Sequence, residues 1–129
     1  MITSRPQVLA QQHAISAGHE LATKAGMEIL EAGGNAVDAG VAAGMALGIL
    51  HSDLVNFAGV APIMIRMAET GKTITIDGLG VWPALASVDY FEQNHGGGMP
   101  QGIQRTVVPA APAAWIEALA EYGTMRFGD

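Results

Sequence analysis

The sequence predicts a mixed α/β fold in one segment that spans residues 1–129. Three observations predict it: two helical patterns come first, a strand–turn–strand pattern follows them, and a further helical pattern comes after a loop region. Neither an internal repeat nor a linker divides the chain. Two strands are too few for a complete sheet sandwich, which indicates that this segment is part of a larger fold.

The first helix is predicted from Glu20 to Ala32, after an irregular lead-in over residues 1–16 in which Pro6 breaks any early helix. Its apolar residues share one face and its charged residues the other. The apolar set is Leu21, Ala22, Ala25, Ile29 and Leu30, and the charged set is Glu20, Lys24, Glu28 and Glu31. Gly33 and Gly34 then supply a left-handed end to the helix.

The second helix is predicted from Ala36 to Leu50, with Asn35 as its N-cap and Asp38 in the first turn, where the helix dipole favours an anion. It is apolar nearly all round, which predicts a central helix with protein on every side. Glycine recurs every fourth residue, at Gly40, Gly44 and Gly48. This ridge predicts a close approach by another backbone.

A hairpin is predicted next, with strands over Pro62–Met67 and Thr73–Asp77 and a turn over residues 69–72. In the second strand Ile74 and Ile76 alternate with polar residues, which indicates one buried face. Loops are predicted over residues 78–87.

Two further helices are predicted, a short one over Val88–Asn94 and a last one over Ala113–Tyr122, with the glycine-rich residues 95–102 irregular. The last helix follows Pro109 and Pro112. Trp115, Ile116, Leu119 and Ala120 form its apolar stripe, and Gly123 ends it.

Composition excludes several classes of function. The formal charge is −6, aromatic residues make up 5% of the chain and no basic stretch occurs, so we expect no nucleic-acid partner. The longest uncharged run, Ala39–Ser52, is shorter than the roughly 20 apolar residues of a membrane span. Cysteine is absent, which excludes disulfides and thiolate sites. We see no secretory signal at the N-terminus, which slightly favours a cytoplasmic location, although the lack of cysteine leaves the compartment open.

No catalytic or metal site assembles from the sequence alone. His51, Ser52 and Asp53 are the residue types of a hydrolase triad, but adjacent side chains point apart, so we interpret them as a helix end. The four histidines lack metal-ligand spacing, and we expect neither a metal nor a cofactor. The glycine run over residues 96–98 lacks the Lys-Ser or Lys-Thr of a phosphate loop. Thr3 and Ser4 follow Met1, so neither has a free α-amino group as its base.

The stretch from Ala22 to Leu50 resembles the signature of the γ-glutamyltranspeptidase family near its N-terminus. Its centre, Gly26 to Ala39, reads Gly-Met-Glu-Ile-Leu-Glu-Ala-Gly-Gly-Asn-Ala-Val-Asp-Ala. The likeness continues through Asp77-Gly78 with Pro83, and then through residues 107–112, Trp115 and the Tyr-Gly-Thr at 122–124.

This resemblance implies an N-terminal-nucleophile hydrolase with a four-layer αββα fold, of which this chain holds an incomplete part. It implies a precursor that cleaves itself, so that a newly exposed Thr of a small subunit attacks an amide. The chain then corresponds to the N-terminal part of the large subunit, and no catalytic residue lies in it. The implied partners are the remainder of the large subunit, the small subunit and a small amide substrate.

One departure from the family concerns the substrate. The γ-glutamyl enzymes carry an Arg directly after Asp-Gly, where it pairs with the substrate's α-carboxylate, and this sequence has Leu79 there. Leucine cannot form that ion pair. By alignment with this loop, we expect Leu79 and Trp82 to line the substrate pocket. Arg66 and Arg105 remain as carboxylate anchors, although an exposed surface position is preferred for each.

A second departure is that residues 57–62 replace the family's glycine-rich run before the first strand. Both departures favour an amide-hydrolysing branch over a glutathione enzyme. The alternative is a free-standing, non-catalytic structural or binding domain derived from the family. For the isolated chain we expect self-association through its apolar second helix.

Overall fold

A computed structural model describes residues 7–128 of the chain. The elements, in chain order, are α1 (Glu20–Glu31), α2 (Ala36–Leu50), β1 (Ile63–Arg66), β2 (Thr73–Ile76), α3 (Val88–His95), a single 3₁₀ turn (Ile103–Arg105) and α4 (Ala111–Tyr122). The predicted mixed α/β fold is confirmed, and each predicted helix and strand lies within two residues of its expected ends. Thr3 and Ser4 lie outside the described residues.

A tight corner joins α1 to α2. The imidazole Nδ1 of His19 accepts a hydrogen bond from the backbone N–H of Leu21 and so caps α1. The end of α1 turns through Gly33, whose φ of 96° is the left-handed conformation that favours glycine. Asn35 then caps α2, because its side-chain oxygen accepts from the N–H of Asp38 while the Asp38 carboxylate accepts from the N–H of Asn35.

The two helices approach each other closely at Gly26. A Cβ atom there would lie 2.8 Å from the carbonyl oxygen of Ala39 and would also collide with the Ile15 side chain. Ala22 and Ala39 are buried in the same contact. Small residues on both helices therefore set their spacing.

The predicted role of the glycine ridge on α2 needs correction. Gly44 lies against the ring of Trp115 and Gly48 against the ring of Phe57, while a Cβ on Gly40 would meet no atom within 4 Å. The two rings pack edge to face with centroids 5.2 Å apart. The ridge thus mainly accommodates aromatic side chains, because glycine leaves room for a ring as well as for a backbone.

The hairpin is antiparallel, with Ile63 opposite Ile76 and Ile65 opposite Ile74. Ile65 and Ile76 are buried, and Met64 on the other face is 73% exposed. The main core lies where this inner face meets α2 and α4. Its buried members are Val41, Ile65, Ile76, Ala111, Ala114, Trp115 and Ala118.

The last helix, α4, starts two residues earlier than predicted and includes Pro112 in its first turn. Proline fits there because the first N–H groups of a helix have no partner within it. In place of a side-chain cap, the carbonyl oxygen of Gly59 accepts hydrogen bonds from the N–H groups of Ala110 and Ala111. The segment before β1 therefore holds the start of α4.

The described residues cover α2 on part of its surface only. α1 and α4 pack on it, but Gly40 is exposed and Ile49 is 78% exposed. The prediction of a helix with protein on every side is thus met in part within residues 7–128. Among these residues, none of the helices combines the length and apolar character that crossing a membrane requires.

Candidate functional site

The loop after β2 is held at two points by backbone hydrogen bonds. The carbonyl oxygen of Gly78 accepts from the N–H of Ala61 at 2.9 Å, and that of Val81 accepts from the N–H of Val108 at 2.8 Å. Gly78 and Gly80 have φ angles of 56° and 77°, in the left-handed region that favours glycine. Leu79 lies between these two points and is 50% exposed. These hydrogen bonds therefore fix the backbone position of Leu79, although the residue lies on a loop.

Trp82, three residues further on, forms part of the wall of a pocket of about 380 Å³. Its ring packs edge to face on Phe91 of α3, with centroids 5.7 Å apart, and it remains 40% exposed. The pocket is lined by Trp82, Ala86, Ser87, Val88, Phe91, Glu92, Gly97, Gly98 and Met99. Leu79 is not among these residues, so the structure places the two predicted residues on one loop without joining them in this pocket.

Backbone and side-chain hydrogen bonds hold the walls of this pocket. The hydroxyl of Ser87 caps α3 by accepting from the N–H of Tyr90 at 3.1 Å. At the other end of α3 the chain turns back through the left-handed Gly96, and the N–H of Gly97 donates to the carbonyl of Phe91 at 3.0 Å.

Arg105 fixes the far rim of the same pocket. Its guanidinium donates to the carbonyl oxygens of Met99 at 2.9 Å and Pro100 at 3.0 Å. The preferred interpretation, an exposed surface arginine, is confirmed, and Arg105 in addition holds this loop in place. The glycine run over residues 96–98 thus belongs to a braced rim.

Arg66 lines a second pocket, of about 560 Å³, between the first half of α2 and β1. The lining residues are Ala36, Val37, Gly40, Val41, Ala61, Pro62, Ile63, Met64, Ile65, Arg66 and Trp115. Arg66 is the one charged residue among them, and none of the ion pairs between described residues involves it. Gly40 carries no side chain and leaves open space at the wall of this pocket.

A third feature is the buried carboxylate of Asp38, which is 3% exposed. It accepts hydrogen bonds from the N–H of Asn35, the N–H and hydroxyl of Thr124, and the N–H of Met125, over 2.7–3.2 Å. Burial alone would raise the pKa of Asp38, but these hydrogen bonds outweigh burial and hold the pKa below its ordinary value. Asn35 also donates to the carbonyl of Tyr122.

This carboxylate joins the start of α2 to the turn after α4, and we regard it as structural. Sequence reasoning assigned Asp38 to the first turn of α2 and missed its bond with Thr124, because the two lie 86 residues apart. The Tyr-Gly-Thr at residues 122–124 was singled out as part of the resemblance. The first and the last segment that carry the resemblance are thus in contact, through Asp38 and Thr124.

The interpretation of His51 as a helix end is confirmed. His51 is the C-cap of α2, and its Nδ1 lies 3.5 Å from the Asp53 carboxylate. None of the hydrogen bonds between described residues joins Ser52 to either neighbour. Within residues 7–128 no three histidine or carboxylate side chains lie close enough together to hold a metal ion.

Comparison with known proteins identifies the family. The family model described as gamma-glutamyltranspeptidase matches residues 22–129. The acylase ACY 1 proenzyme of Pseudomonas sp. (strain V22) is 35% identical over 86% of this chain, and the glutathione hydrolase proenzyme of Escherichia coli (strain K12) is 36% identical over 92% of it. The chain spans 22% and 21% of the lengths of these two relatives.

A solved structure gives the same result for the fold. The γ-glutamyltranspeptidase of Helicobacter pylori superposes with a TM-score of 0.81 at 29% identity, over 93% of this chain and 35% of that one. The predicted membership of an incomplete N-terminal-nucleophile hydrolase fold is therefore confirmed.

Proposed function

Because this chain belongs to the γ-glutamyltranspeptidase family and corresponds to its N-terminal segment, we propose that it forms part of the large subunit of an amide hydrolase or acyl transferase. The nucleophilic Thr that the family resemblance implies lies outside residues 1–129, in the part that this chain does not span. The role of this segment is then to build one wall of the substrate site and to present the loop after β2.

The observation that carries this proposal is the match of residues 22–129 to the family together with the fold of the matched residues. The corner at residues 33–38 and the turn at 122–125 are far apart in sequence and are tied by the Asp38 carboxylate. This tie holds the two ends of the matched segment together, and the names of two relatives describe them as proenzymes. The proposal of a free-standing binding domain is not favoured.

We propose that the acyl group of the substrate carries no carboxylate where it faces Leu79. Leu79 is half exposed on a loop fixed at Gly78 and Val81, so its apolar side chain is presented and not buried. A leucine offers no donor to a carboxylate and favours contact with apolar groups. Among the relatives, the name of the Pseudomonas protein describes an acylase and that of the Escherichia coli protein a glutathione hydrolase, and their identities to this chain are nearly equal.

Self-processing is tested by intact mass and N-terminal sequencing of the purified natural protein. The expected result is two polypeptides from one precursor, the second of which begins with Thr. Replacing that Thr with Ala should leave an uncleaved precursor. A natural protein that stays in one piece and yet hydrolyses amides would contradict the proposed mechanism.

The substrate is tested with two anilides that differ in one group. γ-Glutamyl anilide carries an α-carboxylate, and 4-aminobutyryl anilide is the same molecule without it. We expect kcat/KM of the natural enzyme to be at least as high for the second as for the first. Leu79→Arg should raise the γ-glutamyl to aminobutyryl ratio by about 10- to 100-fold, the effect of one charge-assisted hydrogen-bonded pair.

The control is Leu79→Met, which changes shape but adds no charge and should leave that ratio unchanged. A natural enzyme that strongly prefers γ-glutamyl anilide would overturn the proposed substrate while leaving the family mechanism intact. If the natural enzyme were processed normally but hydrolysed neither anilide, both acyl groups would be excluded as substrates.

A further inference from the structure

The pocket beside Trp82 combines two aromatic rings with a carboxylate. Trp82 and Phe91 contribute ring surface, and Glu92 is the one charged residue among those that line it. None of the ion pairs between described residues involves Glu92. Lysine, arginine and histidine are absent from the lining. The lining residues therefore carry one negative charge, and the Arg105 guanidinium at the rim is engaged with two backbone carbonyls.

Size and rigidity suit a small ligand. The volume of about 380 Å³ lies within the range of small-molecule sites. One wall is α3, which is capped at both ends, and the opposite rim carries Met99, whose carbonyl Arg105 holds. Preorganised walls of this kind reduce the entropy lost on binding.

We propose that this pocket binds a small organic cation of the alkylammonium class. Aromatic faces attract such cations through the ring quadrupole, and the attraction grows when the cation leaves water. Glu92 supplies the countercharge, and the formal charge of −6 on the whole chain favours approach by a cation. An anion is disfavoured by Glu92, and a neutral apolar ligand would gain nothing from this exposed carboxylate.

The larger pocket beside Arg66 gives an internal contrast. It is lined by one cation and by no carboxylate. The same physical rule that assigns a cation to the Trp82 pocket excludes one from the Arg66 pocket. The lining residues therefore predict that a cation binds in the Trp82 pocket and not in the Arg66 pocket.

The test uses the full-length natural protein and the pair choline and 3,3-dimethylbutan-1-ol, which have nearly the same shape and differ in charge. Isothermal titration should show choline binding more tightly than the neutral alcohol by about three- to thirtyfold, the size of a cation–π contact with a nearby carboxylate. Glu92→Gln and Trp82→Leu should each bring this ratio down toward one. Circular dichroism of both variants is the check that they fold.

The matched control is Glu121→Gln, which removes an exposed carboxylate on α4 outside the pocket and should leave the ratio unchanged. Equal affinity for the two probes would show an apolar pocket and would overturn the proposal. Absence of choline binding, as when other parts of the polypeptide fill the pocket, would overturn it as well. Amide hydrolysis can fail without affecting this result, because binding is measured without turnover.

Discussion

The carboxylate of Asp38 shows how one residue can join two distant parts of a chain. Four donors surround it: three backbone N–H groups and the Thr124 hydroxyl. A charged acceptor satisfies all of them at once, because an ionised carboxylate has about four lone-pair sites and no proton of its own. An amide in its place would direct an NH₂ group toward these donors.

Asp38→Asn should therefore lower the free energy of unfolding by about 2 kcal/mol at neutral pH, since hydrogen bonds to a charged group are lost and partly buried donors are left without a partner. Urea unfolding of the full-length protein measures the effect. Glu117→Gln, an exposed carboxylate on α4, is the control and should change stability little. Equal stability of Asp38→Asn and the parent would show that the contact contributes nothing.

The same contact has a defined dependence on pH. The folded state holds the pKa of Asp38 below its ordinary value, so the contribution to stability is present above the unfolded pKa of about 3.9 and is lost as pH falls through the folded pKa. The stability gap between the parent and Asp38→Asn should thus be full at neutral pH and narrow in acid. A gap that stays constant into strong acid would refute this linkage.

At the scale of elements, glycine has opposite consequences at two positions. Gly26 in α1 lies against Ala39, and an added Cβ would lie 2.8 Å from the Ala39 carbonyl oxygen. Gly40 in α2 has open space where a Cβ would lie. Helix propensity favours alanine over glycine by about 1 kcal/mol at both positions. Only at Gly26 does the added Cβ also have a steric cost.

Gly26→Ala should destabilise the protein, because an overpacking cost of about 1–3 kcal/mol exceeds the gain in propensity. Gly40→Ala should stabilise residues 1–129 by about 0.5–1 kcal/mol, because no described atom lies within 4 Å of the added Cβ. Urea unfolding midpoints of the two variants then shift in opposite directions from the parent. Midpoint shifts of the same sign would show that propensity, and not helix spacing, decides at Gly26.

The elements themselves could be predicted from the sequence because their signals are local. Asn35 and Asp38 define the start of α2 within four residues, and the alternation at Ile74 and Ile76 gives the buried face of β2. The start of α4 was misplaced by two residues because Pro112 fits a first turn as well as a preceding loop. The cap from the Gly59 carbonyl is a long-range contact and leaves no local signal.

The candidate site was predictable only in part, because some of its contacts join residues that are distant in the sequence and leave no local signal. The resemblance placed Leu79 and Trp82 on the loop after β2, but their role in binding substrate stays a prediction. The partners of Trp82 come from α3 and from the rim at Met99, which the sequence indicated only as a short helix and a glycine-rich loop. The contact of Arg105 with two carbonyl oxygens depends on how that loop folds back.

At the scale of the whole molecule, apolar surface is left open on one side. The outer face of the hairpin includes Met64, and the adjacent pocket continues across Pro62 to the exposed Gly40 of α2. Ile49, further along α2, is exposed as well. Exposed apolar patches of this kind mark surfaces that other protein covers. The chain spans about a fifth of the length of its relatives, and the remainder of the large subunit that we propose would cover this surface.

Purified residues 1–129 should therefore self-associate, because a second copy is the only protein then available to cover this surface. Sedimentation velocity should show species heavier than 13.3 kDa whose share rises with concentration. Met64→Lys should reduce that share, because it replaces an exposed apolar side chain beside the pocket with a charge. Ile103→Lys is the matched control, since Ile103 is 81% exposed but lies on the 3₁₀ turn and not on the hairpin. If both variants reduced association equally, the contact would be a general effect of charge; if the parent sedimented as a monomer throughout, the open face would not drive association at all.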